Sequence, residues 1–241
     1  MDLGIEGKVA LVTASSKGLG RAAAEALAAD GARVVICARG GEALREAEAS
    51  IAASGAEVLA IEADVTQPDQ PARLVAATVE RFGTIDILVA NAGGPPARRA
   101  LDVGDDDIDA AVNANLKTSV RLVREAVPYM RAAGWGRICL ITSSSVRQPI
   151  PTLSLSNTSR TGLWAWAKTA AADLFESGIT LNTACPGLHD TDRVRALGGP
   201  GGGRLGDPAD FGRVVAFLCS QPAAFVSGTA VLVDGATTLG L

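Results

Sequence analysis

Unbroken apolar runs alternate along this chain with alanine-rich segments of helical spacing. Val9–Thr13, Val34–Ala38, Val58–Ala63, Ile87–Ala90, Ile138–Ile141, Thr180–Cys185 and Ala230–Val233 predict seven short strands. They are continuous rather than alternating, as expected of strands covered on both faces. Among the segments between them, Arg21–Asp30 has helical spacing and stops at Gly31, a residue suited to the position just past a helix. Longer helices are predicted over Asp105–Ala133 and Asn157–Ser177. This βαβα rhythm predicts a doubly wound α/β fold, a parallel sheet of about seven strands with helices on both faces. With no internal repeat or interdomain linker, residues 1–241 are expected to form one domain. The Gly198–Gly203 run predicts a flexible stretch in a short glycine-rich lid near residues 188–206.

Composition narrows the function classes. At 241 residues and 48% hydrophobic, the chain can bury a sizeable core. Its formal net charge is −4 and no lysine or arginine cluster stands out, which argues against a nucleic-acid partner. No apolar run approaches the ~18 residues that span a bilayer, and Met1–Lys8 has neither half of a secretory signal. Cys37, Cys139, Cys185 and Cys219 are widely spaced in apolar stretches and are expected to be buried free thiols, consistent with the cytoplasm. A single histidine, His189, cannot build a histidine-rich metal site. The acidic run Asp105–Asp109 is expected to complement a helix start rather than to bind a cation.

The first candidate chemistry follows the first strand. In Thr13-Ala14-Ser15-Ser16-Lys17-Gly18-Leu19-Gly20, glycines between a strand and a helix let backbone N–H groups approach a pyrophosphate. The segment resembles the T-G-x-x-x-G-x-G element of the short-chain dehydrogenase/reductase family, with Ala14 at the first glycine, where its Cβ crowds the turn if positive φ is needed. Asn91-Ala92-Gly93 resembles that family's N-A-G element, Asp64-Val65 the pair at the adenine, and Pro186-Gly187 the turn beside the nicotinamide, with Thr191 at its usual threonine. The resemblance spans nearly the whole chain, is nearest to 3-oxoacyl-[acyl-carrier-protein] reductase-like members, and implies a Rossmann-type fold. It includes Arg204–Pro208 and Val233-Asp234-Gly235, with Ala236 standing where those members usually keep a glycine. The second strand ends in Ala38-Arg39 rather than an acidic residue. Arg39 and Lys17 suit a 2′-phosphate, so NADP(H) is favoured over NAD(H).

The family's catalytic group is Asn, Ser, Tyr and Lys, and here the resemblance is incomplete. Asn115 matches the asparagine, and Ser143, thirteen residues before Ser156, matches the serine, with Ser144 and Ser145 as near alternatives. Ser156 falls at the tyrosine position and Arg160 at the lysine position. A serine hydroxyl is shorter and far less acidic than a phenol, and arginine stays protonated. Tyr129, the only tyrosine, is expected to pack. His189, two residues past the Pro-Gly turn, is a candidate replacement acid, or else a lid residue facing solvent. Arg147 is a candidate for attracting an anion at the pocket mouth.

Three readings stay open. The first is an NADP(H)-dependent oxidoreductase acting on a carbonyl or alcohol, a small molecule or acyl thioester, through an atypical proton path. The second is a non-redox step such as cyclisation, isomerisation or elimination. The third is a non-catalytic dinucleotide-binding protein. The resemblance also implies a homotetramer or homodimer, with Trp164 and Trp166 on the interface helix.

Overall fold

A computed structural model of the chain describes residues 2–199 and 204–240. Seven strands form one wholly parallel sheet in the order β3-β2-β1-β4-β5-β6-β7. They are β1 (Val9–Val12), β2 (Arg33–Ala38), β3 (Val58–Glu62), β4 (Ile87–Ala90), β5 (Gly136–Ile141), β6 (Ile179–Pro186) and β7 (Ala230–Val233). All seven match the predicted strands; β4 and β7 keep the predicted bounds and the others differ at one or both ends by one or two residues.

Because side chains alternate across a strand, each apolar run feeds two cores. Val9 and Leu11 join Leu88, Leu140 and Leu181 beneath α3 (Gln70–Phe82), α5 (Thr118–Ala133) and α6 (Ser154–Phe175). Ala10 and Val12 join Ile36, Val89 and Cys139 beneath α1 (Gly18–Ala29), α2 (Gly41–Ala53) and α8 (Pro208–Leu218). All four cysteines are free and buried, as expected. Burial pushes the Cys37 thiol up to about 12, so it is a packing group rather than a nucleophile.

Two helices depart from expectation. Helix α1 begins at Gly18, three residues earlier than its apolar spacing suggests, which draws Gly18, Leu19 and Gly20 into its first turn. The stretch expected as one helix over Asp105–Ala133 is broken. Helix α4 (Asp105–Ala111) passes through a wider π turn at Val112–Lys117 before α5 begins. Such turns re-aim side chains, and this one carries Asn113 and Asn115. Asp105, Asp106 and Asp107 lie in the first turn of α4, where the Asp107 carboxylate accepts the Gly104 N–H at 3.1 Å, the helix-start role read from sequence.

Among the described residues only Ala14 (φ 48°) and Ala236 (φ 63°) take left-handed backbone without being glycine. These are the two alanines standing where the family resemblance calls for glycine. A Cβ in this region costs roughly 1–2 kcal/mol, partly offset by the lower chain entropy that alanine gives the unfolded state. Ala14→Gly and Ala236→Gly are therefore each expected to raise unfolding stability by about 0.5–1 kcal/mol. Chemical denaturation checks this, and a loss of stability in both variants contradicts it.

Candidate active site

Strand order reverses between β1 and β4, and there the crossovers leave opposite faces of the sheet. A crevice opens above the strand ends at such a point. Two adjoining cavities occupy it, of about 530 Å³ and about 1000 Å³, and both are lined by Ala14, Lys17, Ala92 and Gly93.

The floor of the crevice is a mutual brace between the ends of β1 and β4. Thr13 Oγ1 donates to Asn91 O at 2.7 Å and accepts from Asn91 N at 2.9 Å, while Asn91 Nδ2 donates to Ala14 O at 3.1 Å. Gly20 is the contact that lets α1 sit this close. A Cβ there would lie 2.5 Å from Ala14 O and 2.6 Å from Asn91 Nδ2. Helix α1 has no side-chain cap, so its first N–H groups face the crevice. A strand end, a glycine-lined turn and an uncapped helix form an anion cradle of the kind that holds pyrophosphate. The residues fit a dinucleotide.

In the smaller cavity Ser16, Arg39, Asp64 and Val65 line the wall with Ala38, Gly40 and Thr66. Partial burial raises the Asp64 carboxyl, but hydrogen bonds from Thr66 N and Oγ1 and the Arg39 charge outweigh it and hold Asp64 below the usual carboxylate range. Arg39 is exposed and has no salt-bridge partner among the described residues.

The larger cavity gathers Gly18, Leu19, Asn91, Ser143, Ser144, Ser156, Arg160, Pro186, Gly187, His189 and Thr191. Candidates as far apart in the chain as Ala14 and Thr191 thus line one cavity. Gly187 is obligatory: a Cβ would come within 2.7 Å of Asp234 Cβ. Ser156 is buried on this wall. Ser143 Oγ accepts the Ser145 N–H at 3.1 Å.

Arg160 is nearly buried, and its guanidinium faces strand ends. Nη1 donates to Ile141 O and Thr142 O, each at 2.9 Å, and Nη2 donates to Ala92 O at 3.4 Å. Burial, and then the nearby Arg193 charge, push it down to about 10, which leaves it protonated at neutral pH.

Several sequence expectations fall at other places. Asn115 is buried in the π turn and does not line either cavity, although its neighbours Ala111 and Ala114 line the smaller one. Its Nδ2 donates to Ala111 O at 3.2 Å and its Oδ1 has no partner among the described residues. His189 does not face solvent. It is 4% exposed, packs edge-on against Phe211 at 5.3 Å, and lies under Gly206, where a Cβ would come within 2.7 Å of the ring. Two hydrogen bonds zip its strand to the far end of the lid, Asp190 N to Gly206 O and Gly206 N to Leu188 O, both 2.9 Å. Within the lid, Asp192–Ala196 form α7, and residues 200–203 of the glycine run lie outside the described residues. Arg147 is not on the cavity wall; it stacks over Trp164 at 4.7 Å. Trp164 and Trp166 are each half-buried against their own chain. Tyr129 lies exposed on α5.

Sequence reasoning missed two parts of the wall. Arg193, from α7, reaches across the crevice and donates to Pro95 O at 2.6 Å. Thr237 and Thr238 arrive from the C-terminal tail, which Gln148 Oε1 holds by accepting the Leu239 N–H at 2.8 Å. Arg193 sits two residues after the predicted Thr191, but the pitch of a five-residue helix that sets its direction is invisible in the sequence.

Fold and cleft together define a dinucleotide-binding α/β protein. A family profile described as enoyl-(acyl carrier protein) reductase matches residues 13–238. Dehydrogenase/reductase SDR family member 4 of Bos taurus is 34% identical, over 96% of this chain and 87% of the relative. L-sorbose reductase of Gluconobacter frateurii, solved with NADPH and L-sorbose, superposes with a TM-score of 0.94 at 32% identity over 100% of both chains. A 3-oxoacyl (acyl-carrier-protein) reductase of Agrobacterium tumefaciens, solved with NADP, superposes with a TM-score of 0.90 at 28% identity over 97% and 95%. The chain belongs to the short-chain dehydrogenase/reductase family of oxidoreductases, whose cofactor class is a nicotinamide dinucleotide. No helix among the described residues is long and apolar enough to cross a membrane.

The Gly20 contact is testable. Gly20→Ala is expected to force the braced loop apart, at roughly 1–3 kcal/mol of overpacking, and to weaken dinucleotide binding at least tenfold. Calorimetric titration reads this, and unchanged affinity rules out Gly20 as the element that shapes the cradle.

Proposed function

We propose that the protein is an NADP(H)-dependent reductase or dehydrogenase of a carbonyl/alcohol pair in which Ser156 and Arg160 replace the family's tyrosine and lysine. The observation that carries this reading is the single wall shared by Ser143, Ser156, Arg160 and the Pro186-Gly187 turn, continuous with the dinucleotide cleft. In this reading the cradle formed by Ala14, Ser16, Lys17, Gly18, Leu19 and Gly20 binds the pyrophosphate. Asp64 and Val65 meet the adenine, Asn91, Ala92 and Gly93 flank the middle of the cofactor, and Pro186, Gly187 and Thr191 meet the nicotinamide. Arg39 and Lys17 hold the 2′-phosphate.

When bound, the cofactor supplies or accepts hydride. Ser143 and Ser156 donate hydrogen bonds to the carbonyl oxygen and stabilise the negative charge that builds there. Serine is a poor acid, so the proton reaches that oxygen through Ser156 and ordered water rather than from the side chain itself. Arg160 contributes a fixed positive charge beside the developing alkoxide. Asn115 acts from behind the wall, where its unpartnered Oδ1 suits an ordered water. His189 is the second candidate donor, favoured by its burial on the same wall. A non-redox step on the same scaffold is favoured by one observation, that Arg160 already spends donors on three backbone carbonyls rather than keeping them for ribose hydroxyls. Assembly as a homodimer or homotetramer is supported by wide-open apolar side chains at Phe225 and Leu239 rather than by the tryptophans.

Two experiments test the reading. NADPH is expected to bind at least tenfold more tightly than NADH, and Arg39→Asp to reverse the order. Equal affinities in the native protein refute the phosphate contact. A positioned general acid is worth about 10²–10⁴-fold, so ketone reduction by the native enzyme is expected to be slow. Ser156→Tyr combined with Arg160→Lys is expected to raise it at least tenfold, with Arg160→Lys alone as the stability control. No rise with cofactor still bound favours the non-redox step, and native rates typical of ordinary reductases refute the missing-acid argument. His189→Ala then identifies or dismisses the histidine as donor.

A further inference from the structure

Three cationic side chains, Lys17, Arg160 and Arg193, line the larger cavity, and none has a salt-bridge partner among the described residues. The one carboxylate on the same wall, Asp192, is paired outward with Arg195 at 3.1 Å. The cations differ in what they have left to offer. Lys17 belongs to the pyrophosphate loop. Arg160 is turned towards the carbonyls of Ile141, Thr142 and Ala92.

Arg193 is held by one corner only. Its Nη2 donates to Pro95 O at 2.6 Å, while Nε and Nη1 bond nothing among the described residues. The guanidinium plane lies over Gly94, where a Cβ would come within 3.0 Å of Nε and 3.2 Å of Cζ. Gly94 therefore leaves the room that seats the group across the crevice. A planar fork anchored through one nitrogen, with further donors left free beside a cavity, is an arrangement that can receive a carboxylate. The electrostatics point the same way. Burial and then the Arg193 charge push the Arg160 guanidinium down, so the two cations on this lining, with no carboxylate facing them, leave the cavity suited to an anion. Dinucleotide phosphate is already served by the α1 N-terminus and its glycines.

We propose that Arg193 makes this site select an anionic carbonyl compound, an oxo acid or the corresponding hydroxy acid, by pairing its guanidinium with the substrate carboxylate. The inference rests on the oxidoreductase reading of the same cavity and adds the substrate's charge to it. The chemistry stays balanced: hydride adds to the carbonyl carbon, a proton to its oxygen, and the carboxylate is unchanged. The role first suggested for Arg147 passes to Arg193, because Arg147 stacks on Trp164 instead of facing the cavity.

The test is binding to the NADPH complex, which needs no turnover. Matched acid and amide pairs are titrated by calorimetry: pyruvate with pyruvamide, acetoacetate with acetoacetamide, and 4-oxopentanoate with 4-oxopentanamide. The acid of at least one pair is expected to bind tenfold or more tightly than its amide. Arg193→Met is expected to erase that difference with NADPH affinity within threefold of native, and Arg193→Lys to restore part of it. Equal binding of acid and amide in every pair, including no binding of either, overturns the inference. So does a tenfold loss of NADPH affinity in Arg193→Met with the acid preference intact, because that result assigns the guanidinium to the cofactor's own pyrophosphate. Failure of NADPH to bind the native protein sinks the oxidoreductase reading instead, and any turnover adds a KM-against-kcat comparison in which Arg193→Met raises KM for acids only.

Discussion

A parallel sheet delivers every strand to the same edge, and the carbonyls and N–H groups beyond the last ladder bond need partners there. In this protein the partners are side chains of the cleft itself. Thr13 and Asn91 close the ends of β1 and β4 on each other. Arg160 takes the carbonyls of Ile141, Thr142 and Ala92. The cleft is thus the place where the sheet completes its hydrogen bonding. Changes to it act on stability and on ligand geometry together, and truncating Arg160 would leave several buried acceptors unpaired, each worth roughly 1–3 kcal/mol.

That coupling bears on the serine at position 156. A lysine in place of Arg160 could approach a ribose as a compact ammonium, whereas the wide guanidinium is retained by the strand ends. The hydroxyl of Ser156 and the committed guanidinium are both consistent with a site in which polarity is arranged in advance and no acidic phenol is supplied. In the proposed reading, proton movement is left to water, or to a histidine packed between Phe211 and Gly206. Packing of that kind restricts ring rotation, so a proton carried by His189 has few directions in which to leave.

The strands and the glycine-bearing turn from β1 into α1 were legible because their signals are local. An apolar run such as Val9–Val12 is covered on both faces wherever it sits in the sheet, and glycines between a strand and a helix mean the same thing in any order of assembly. The π turn was not legible, because the apolar spacing of Asp105–Ala133 fits one helix and a single wider turn hardly disturbs it. Nor was the burial of His189, which depends on Gly206 seventeen residues later folding back as a lid stem. Trp164 and Trp166 show a related limit: large apolar side chains on a helix predict burial, and each is half-buried against its own chain, but their spacing does not say what covers the rest.

In the tail from Asp234 to Leu239, Asp234 ties the turn through Thr237 and Thr238, and Leu239 is bonded to Gln148, so the last described residues form part of the cavity wall. Leu239 itself is 86% exposed, so this edge of the cavity is held by one hydrogen bond from a backbone N–H at a solvated position. Loosening the Gln148 contact would therefore widen the cavity from its tail side while the sheet and the β1–β4 brace stay as they are.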